Sequence, residues 1–190
     1  QTETTHTSRD VLAVIEGSDP RLKNEYIVLG AHFDHIGVVG GRICNGADDN
    51  ASGTATLIEV ARQLMAQRDK LRRSVIICAF DAEELGLFGS TVLAQRLDED
   101  IRLMMSIDMV GWYQKTGVLT LEGVGTLDRR HHALFTSIAS TTGINVRTKR
   151  FETSMMGATD TEPFAKKGRS TLYVTTGLKS PYHKPEDDAD

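Results

Sequence analysis

Cysteine, proline and aromatic residues are scarce in this 190-residue chain, which has two Cys, four Pro and 6% aromatics. Two thiols cannot build the multi-bridge framework of small secreted scaffolds. Cys44 in a Gly-rich loop and Cys78 in an apolar run read as two free thiols. No apolar stretch approaches the roughly 20 residues of a membrane-crossing helix. Runs of basic residues are also missing, and the net charge is -4, so nucleic acid is not expected as the main partner. There is no initiator Met and no signal-peptide pattern. The polar lead-in QTETTHTSRD and the stop at PEDDAD read as cut ends of one domain spanning 1–190. What is left, 39% hydrophobic and 25% charged, is the composition of a globular domain with a substantial core.

Strand and helix patterns alternate along the chain. VLAVIE (11–16) and YIVLGA (26–31) read as strands joined by a turn carrying Asp-Pro. A Gly-rich loop covers 37–46. Residues 51–68 then place Leu57, Ile58, Ala61, Leu64 and Met65 on one helical stripe. SVIICAF (74–80) and IRLMMSIDMV (101–110) are strands apolar along their whole length, and 87–97 is helical. A strand is expected at 118–121, a helix at 127–142 ending on Gly143, and a strand at 145–151. A short helix at 162–167 and a strand at 171–175 follow. Fully apolar strands alternating with helices imply an α/β three-layer sandwich, a mixed and mostly parallel sheet with helices on both faces. Ligands of such sheets bind beyond the carboxyl ends of the strands.

Those strand ends are where the unusual residues fall. HFDH (32–35) follows one strand, NGADDNASG (45–53) precedes the first long helix, and DAEE (81–84) follows SVIICAF. Asp108 sits in an apolar strand, and His183 lies beyond TLYVTT. One strand-end carboxylate is usually a cap or a solvated charge; five such blocks in one chain are not coincidence. Clustered carboxylates force proton uptake unless a cation compensates them. His and carboxylate ligands without thiolate suit zinc, with manganese or cobalt as alternatives. Two His and three or more carboxylates exceed one catalytic zinc and match a metal pair sharing a bridging carboxylate.

AHFD, NGADDNASG, FDAEELGLFGS, SIDMVG and YHKPEDD together resemble the co-catalytic di-zinc aminopeptidases of the bacterial leucyl aminopeptidase type (clan MH). Their superfamily includes glutamate carboxypeptidase, the transferrin receptor and glutaminyl cyclases. The resemblance runs from Val11 to Asp187. It implies two Zn2+ per chain bridged by Asp49, with His32 and Asp108 completing one site and Glu84 and His183 the other. It implies a cis peptide at Asp49–Asn50, Asp34 as the group that orients His32, and Tyr182 as an oxyanion donor. Glu83 would be the general base that takes a proton from water at the metal pair. Adjacent extended residues point to opposite sides, so Glu83 and Glu84 are not expected to bind one metal side by side. Which of them does which comes from the resemblance.

The implied activity is hydrolysis of the N-terminal peptide bond of peptide substrates by a metallo-exopeptidase. Alternatives are a single-zinc glutaminyl cyclase, a carboxypeptidase needing basic residues around a substrate carboxylate, and a non-catalytic ectodomain. Arg147, Lys149 and Arg150 fall on a polar strand read as solvated. Relatives of this kind are often exported, so a periplasmic or extracellular location is expected; the oligomeric state is open. Blander readings apply elsewhere. His35 reads as a surface group, His131 and His132 as a solvated helix face, and Asp48 as structural. Asp81 reads as a loop or cap hydrogen-bonder, and Phe151, Trp112, Met155 and Met156 as core rather than pocket. The chain has Thr159-Asp160-Thr161 where many relatives have Ser-Asp-His, and Thr159 with Glu162 suggests a capping box.

Overall fold

Strands that are apolar on both sides must be covered on both sides, and the fold follows from that requirement. A computed structural model describes residues 7–97, 100–127, 129–150 and 159–189, excluding the side chains of Arg129 and His132. Its strands are β1 (Val11–Ile15), β2 (Glu25–His32), β3 (Val38–Val39), β4 (Arg42–Ile43), β5 (Ser74–Phe80), β6 (Asp100–Ile107), β7 (Leu119–Glu122), β8 (Val146–Lys149) and β9 (Thr171–Thr175). Seven of them form one sheet in the order β1-β5-β2-β6-β9-β7-β8, and β3 and β4 make a small hairpin. The four central strands β5, β2, β6 and β9 are mutually parallel. β1 pairs antiparallel with β5, and β7 antiparallel with β9.

The helices are α1 (Gly53–Ala66), α2 (Phe88–Arg96), α3 (Tyr113–Thr116), α4 (Arg129–Thr142) and α5 (Glu162–Lys166). Val28, Ile76, Phe80 and Met104 face α2 and α5, where Leu93 and Phe164 complete the cluster. The alternate residues Leu29, Ile77 and Ile107 pack with Leu57 of α1. The cluster beneath α4 shares Met105 and Val110 with that second core, so α1 and α4 cover the same face. Each buried aliphatic or aromatic side chain contributes roughly 1.5–3 kcal/mol. Removing the fully buried Phe80 ring would cost about 3–5 kcal/mol. Gly30 is what admits that ring: a Cβ there would lie 2.2 Å from Phe80 Cε2.

Two local expectations change. The Gly-rich loop contains the β3–β4 hairpin, which is too short to show a period of two in the sequence. The first long helix begins at Gly53 rather than Ala51, because residues 47–52 form an irregular turn with Asp49 and Asn50 in non-helical backbone. The Asp49–Asn50 peptide in this turn is cis, as the resemblance implied. Gly53 lets the turn press on β6, since a Cβ there would come within 2.3 Å of the Ile107 carbonyl oxygen. At α5 the capping box does not form. Thr159 Oγ1 meets Thr161 Oγ1 at 2.6 Å, and the Glu162 N–H donates to the Thr159 carbonyl.

Candidate metal centre

Because β2, β5, β6 and β9 are parallel, their carboxyl ends lie side by side, and every predicted site residue is delivered there. β2 ends on His32, the turn after β5 carries Glu83 and Glu84, and Asp108 follows β6. The loop after β9 carries Tyr182 and His183, and the turn before α1 carries Asp49. His32, Asp49 and Asp108 are 2%, 3% and 7% exposed, burial that charged groups tolerate only when compensated. The backbone bends sharply at these residues. Ala82, Met109 and His183, three of the four non-glycine residues described with positive φ, each carry or adjoin a site residue.

The side chains form two groups that meet at Asp49. Asp49 Oδ1 lies 3.4 Å from His32 Nε2, which is also 3.4 Å from Asp108 Oδ1. Asp49 Oδ2 lies 3.2 Å from His183 Nε2, which is 3.0 Å from Glu84 Oε2. Ligands at about 2.0–2.1 Å around a tetrahedral ion are separated by about 3.3 Å along each edge, so both groups have the spacing of a cation's ligand shell. Asp49 Oδ2, Asp108 Oδ1 and His183 Nε2 are buried with no hydrogen-bond partner among the described residues. Buried polar atoms left this way need an ion or a proton. The donor set therefore fits two divalent cations, one per group.

The neighbouring glutamates face different ways. Glu83 Oε2 points toward His32 Nε2 at 4.0 Å, while both Glu84 oxygens face the other group. Burial would lower the His32 imidazole, but the Asp108 and Asp49 carboxylates outweigh it and push it up to about 12. Burial pushes Glu83 up to about 9, with Asp160, Asp108 and Glu84 adding to the rise against the pull of His32. Burial, reinforced by Asp49, pushes Glu84 up to about 7. His32, Glu83 and Glu84 are thus all biased toward their protonated forms. That is the electrostatic signature of a site built for positive charge.

Surrounding residues hold this arrangement. The Asp34 carboxylate accepts the backbone N–H groups of Glu83 and Glu84 at 3.0 and 3.2 Å. Its oxygen is 3.7 Å from His32 Nδ1, whereas its backbone carbonyl is 3.1 Å from that nitrogen. Asp34 thus orients His32 through its main chain and the glutamate turn through its side chain, a division the resemblance did not convey. Asp48 is structural as expected, accepting from Gly111 N–H at 2.7 Å. Asp81 accepts the N–H groups of Arg9 and Ala82.

His35 requires correction. It is not a surface group: its Nδ1 lies 3.0 Å from Glu84 Oε1 and 3.9 Å from Asp49 Oδ2, within the second group. HFDH contained that signal, as two imidazoles three residues apart. Three further residues went unread. Asp187, 2% exposed, accepts the Asp48 and Asp49 N–H groups at 2.8 and 3.1 Å. Asn50 donates to the Ile107 carbonyl and accepts from Gly53 and Met109, tying the turn to β6 and α1. Asp160 is 1% exposed, and burial pushes its carboxyl up to about 7 against the pull of His32. All three lie in blocks already singled out, but their roles were not readable there, because each also acts on a segment distant in sequence. Phe151, Met155 and Met156 lie outside the described residues, and Trp112 caps α3 half-buried.

The family model described as Peptidase family M28 matches residues 10–190. Among curated relatives, leucine aminopeptidase 1 of Fusarium vanettenii is 36% identical over 121 residues, covering 59% of this chain and 30% of that enzyme. The chain thus spans about a third of the length of the leucine aminopeptidases it matches. A solved zinc aminopeptidase from Bacillus subtilis superposes with a TM-score of 0.72 at 25% identity, over 94% of this chain and 44% of that one. A glutaminyl cyclase from an Acidobacteriales bacterium shares the fold, with a TM-score of 0.70 at 23% identity over 95% of this chain and 66% of that one.

Proposed function

The chain belongs to peptidase family M28, and we propose that it carries the catalytic site of an aminopeptidase that binds two zinc ions and hydrolyses the N-terminal bond of peptides. The observation that carries this reading is Asp49, whose two carboxylate oxygens face different imidazoles at 3.4 and 3.2 Å. In this reading His32, Asp49 and Asp108 hold one zinc, and Asp49, Glu84 and His183 hold the other. The names of the leucine aminopeptidase and zinc aminopeptidase relatives support the metal and the reaction class.

Zinc ions held there would supply Lewis acidity and lower the pKa of water toward neutrality. The protein's residues do the rest. Glu83, the one glutamate not turned into the second group, accepts the proton of the attacking water at Oε2 and returns it to the leaving amine. Asp34 fixes the backbone on which both glutamates stand. Tyr182 stacks on His183 with ring centroids 3.8 Å apart and offers its hydroxyl to the developing oxyanion. Burial, helped by Asp49 and Glu84, pushes that phenol up to about 12 and keeps it a donor.

The test is Glu83→Gln, assayed on aminoacyl and peptidyl chromogenic substrates with and without a chelator. Turnover should fall by about a hundredfold to ten-thousandfold while metal content stays near two per chain. Substantial residual activity would remove Glu83 from the role of base. One zinc per chain in the unmodified protein, with cyclisation of N-terminal glutamine, would replace the peptidase reading by a glutaminyl cyclase.

A further inference from the structure

A cavity of about 480 Å³ opens beside the metal centre against β7, β8 and β9. Its wall is continuous with the site: Tyr173 lines it and donates its hydroxyl to Asp108 Oδ2 at 3.1 Å. Thr175 and Thr176, also on the wall, donate to the Met109 carbonyl. Strand alternation puts polar side chains on this wall. Leu121, Leu172 and Val174 turn into the core under α4, while Thr120, Glu122, Tyr173 and Thr175 line the cavity, each 6% exposed or less.

Three cations and one anion line the same space. Glu122 is held by Lys149 Nζ at 2.6 Å, so its charge is already answered. Arg147 and Lys179 remain, both exposed at the mouth and in no ion pair among the described residues. The cavity wall is therefore mixed, with Val118 and Leu178 beside the hydroxyls, and the charge left unanswered at its mouth is positive. A cationic side chain would meet Arg147 and Lys179, whereas an anionic one would find two charge-assisted donors there.

We propose that this cavity receives the side chain of the substrate's N-terminal residue and selects an acidic one, aspartate or glutamate, through Arg147 and Lys179. The inference rests on the aminopeptidase reading and deepens it. It sets this chain apart from the leucine preference that the names of its relatives would suggest.

The experiment compares kcat/KM for glutamyl, glutaminyl, leucyl and lysyl p-nitroanilides on the zinc-loaded chain. Glutamyl should exceed glutaminyl by about tenfold or more, the worth of one charge-assisted hydrogen bond. The ratio should collapse toward one in the Arg147→Ala, Lys179→Ala double variant, and Arg147→Glu should turn the preference toward lysyl. A leucyl rate above the glutamyl rate, or a ratio unmoved in the variants, overturns the proposal. Hydrolysis of N-acetylated peptides at a C-terminal glutamate also overturns it, by assigning the cations to a terminal carboxylate. Thermal shift gives a readout without turnover: free glutamate should raise the melting temperature more than free leucine, and the double variant should lose the difference. Glutamate protection without hydrolysis of any substrate would sink the aminopeptidase reading and keep the acidic pocket. Loss of both would sink the two together.

Discussion

The two halves of the metal centre share Asp49 but are built differently. The half around His32 and Asp108 is sealed: both are under a tenth exposed, and both stand at the ends of central parallel strands. The half around Glu84 and His183 opens outward. The His183 side chain is 33% exposed on a loop, in left-handed backbone, with His35 as a second imidazole beside it. The sealed half has the rigidity of the sheet behind it, and the open half has access. On the proposed function, the sealed half should hold its ion more tightly than the open half, and substrate should reach the open side.

Breaking the shared residue should have the largest effect. Asp49→Ala is expected to bring bound metal from about two toward zero per chain, by elemental analysis, and to abolish turnover. Retention of either ion would show that the halves do not depend on one bridge. Separating the halves comes next. Asp108→Ala should remove the tighter step of a zinc titration followed by calorimetry, and Glu84→Ala the weaker one; the opposite assignment would reverse the ranking. A smaller and symmetrical loss is expected from Asp187→Asn, because its carboxylate holds the backbone of Asp48 and Asp49 rather than an ion. Such supporting groups are worth about 10–100-fold in metal affinity, and both steps should weaken together. The smallest change belongs to His35→Gln, which should loosen the weaker step alone by about tenfold or less. An equal effect on both steps would mean that His35 acts beyond Glu84.

Most of the site was legible because its residues sit in short blocks beside strong strand patterns. YIVLGA announces His32, SVIICAF announces Glu83 and Glu84, and each block carries its charge where an apolar run stops. The roles of Asp187 and Asn50 were not legible, since Asp187 binds a backbone 139 residues away and Asn50 ties its turn to a strand 57 residues away in sequence. HFDH offered a hint for His35 in its two imidazoles three residues apart, but that spacing does not say which way the loop turns. The polar strand expected at 145–151 read as solvated, and β8 is largely exposed; what its period did not show is that Arg147 and Lys149 also border the cavity beside Tyr173. Strand period places residues on a face and says nothing about what that face meets.

The sequence by itself determined the alternation of strands and helices, the mostly parallel sheet, and most of the candidate metal-holding residues. Those follow from local pattern, because the period of a segment and the type of a side chain are properties of the segment alone. Tertiary structure decided which oxygen of Asp49 faces which imidazole, that Asp34 orients His32 with its main chain, and that His35 belongs to the centre. It also decided that the polar faces of β7 and β9 line a cavity instead of solvent. Each of these is a distance between groups brought together by strand order, and strand order is set by the burial of the whole sheet rather than by any stretch of it.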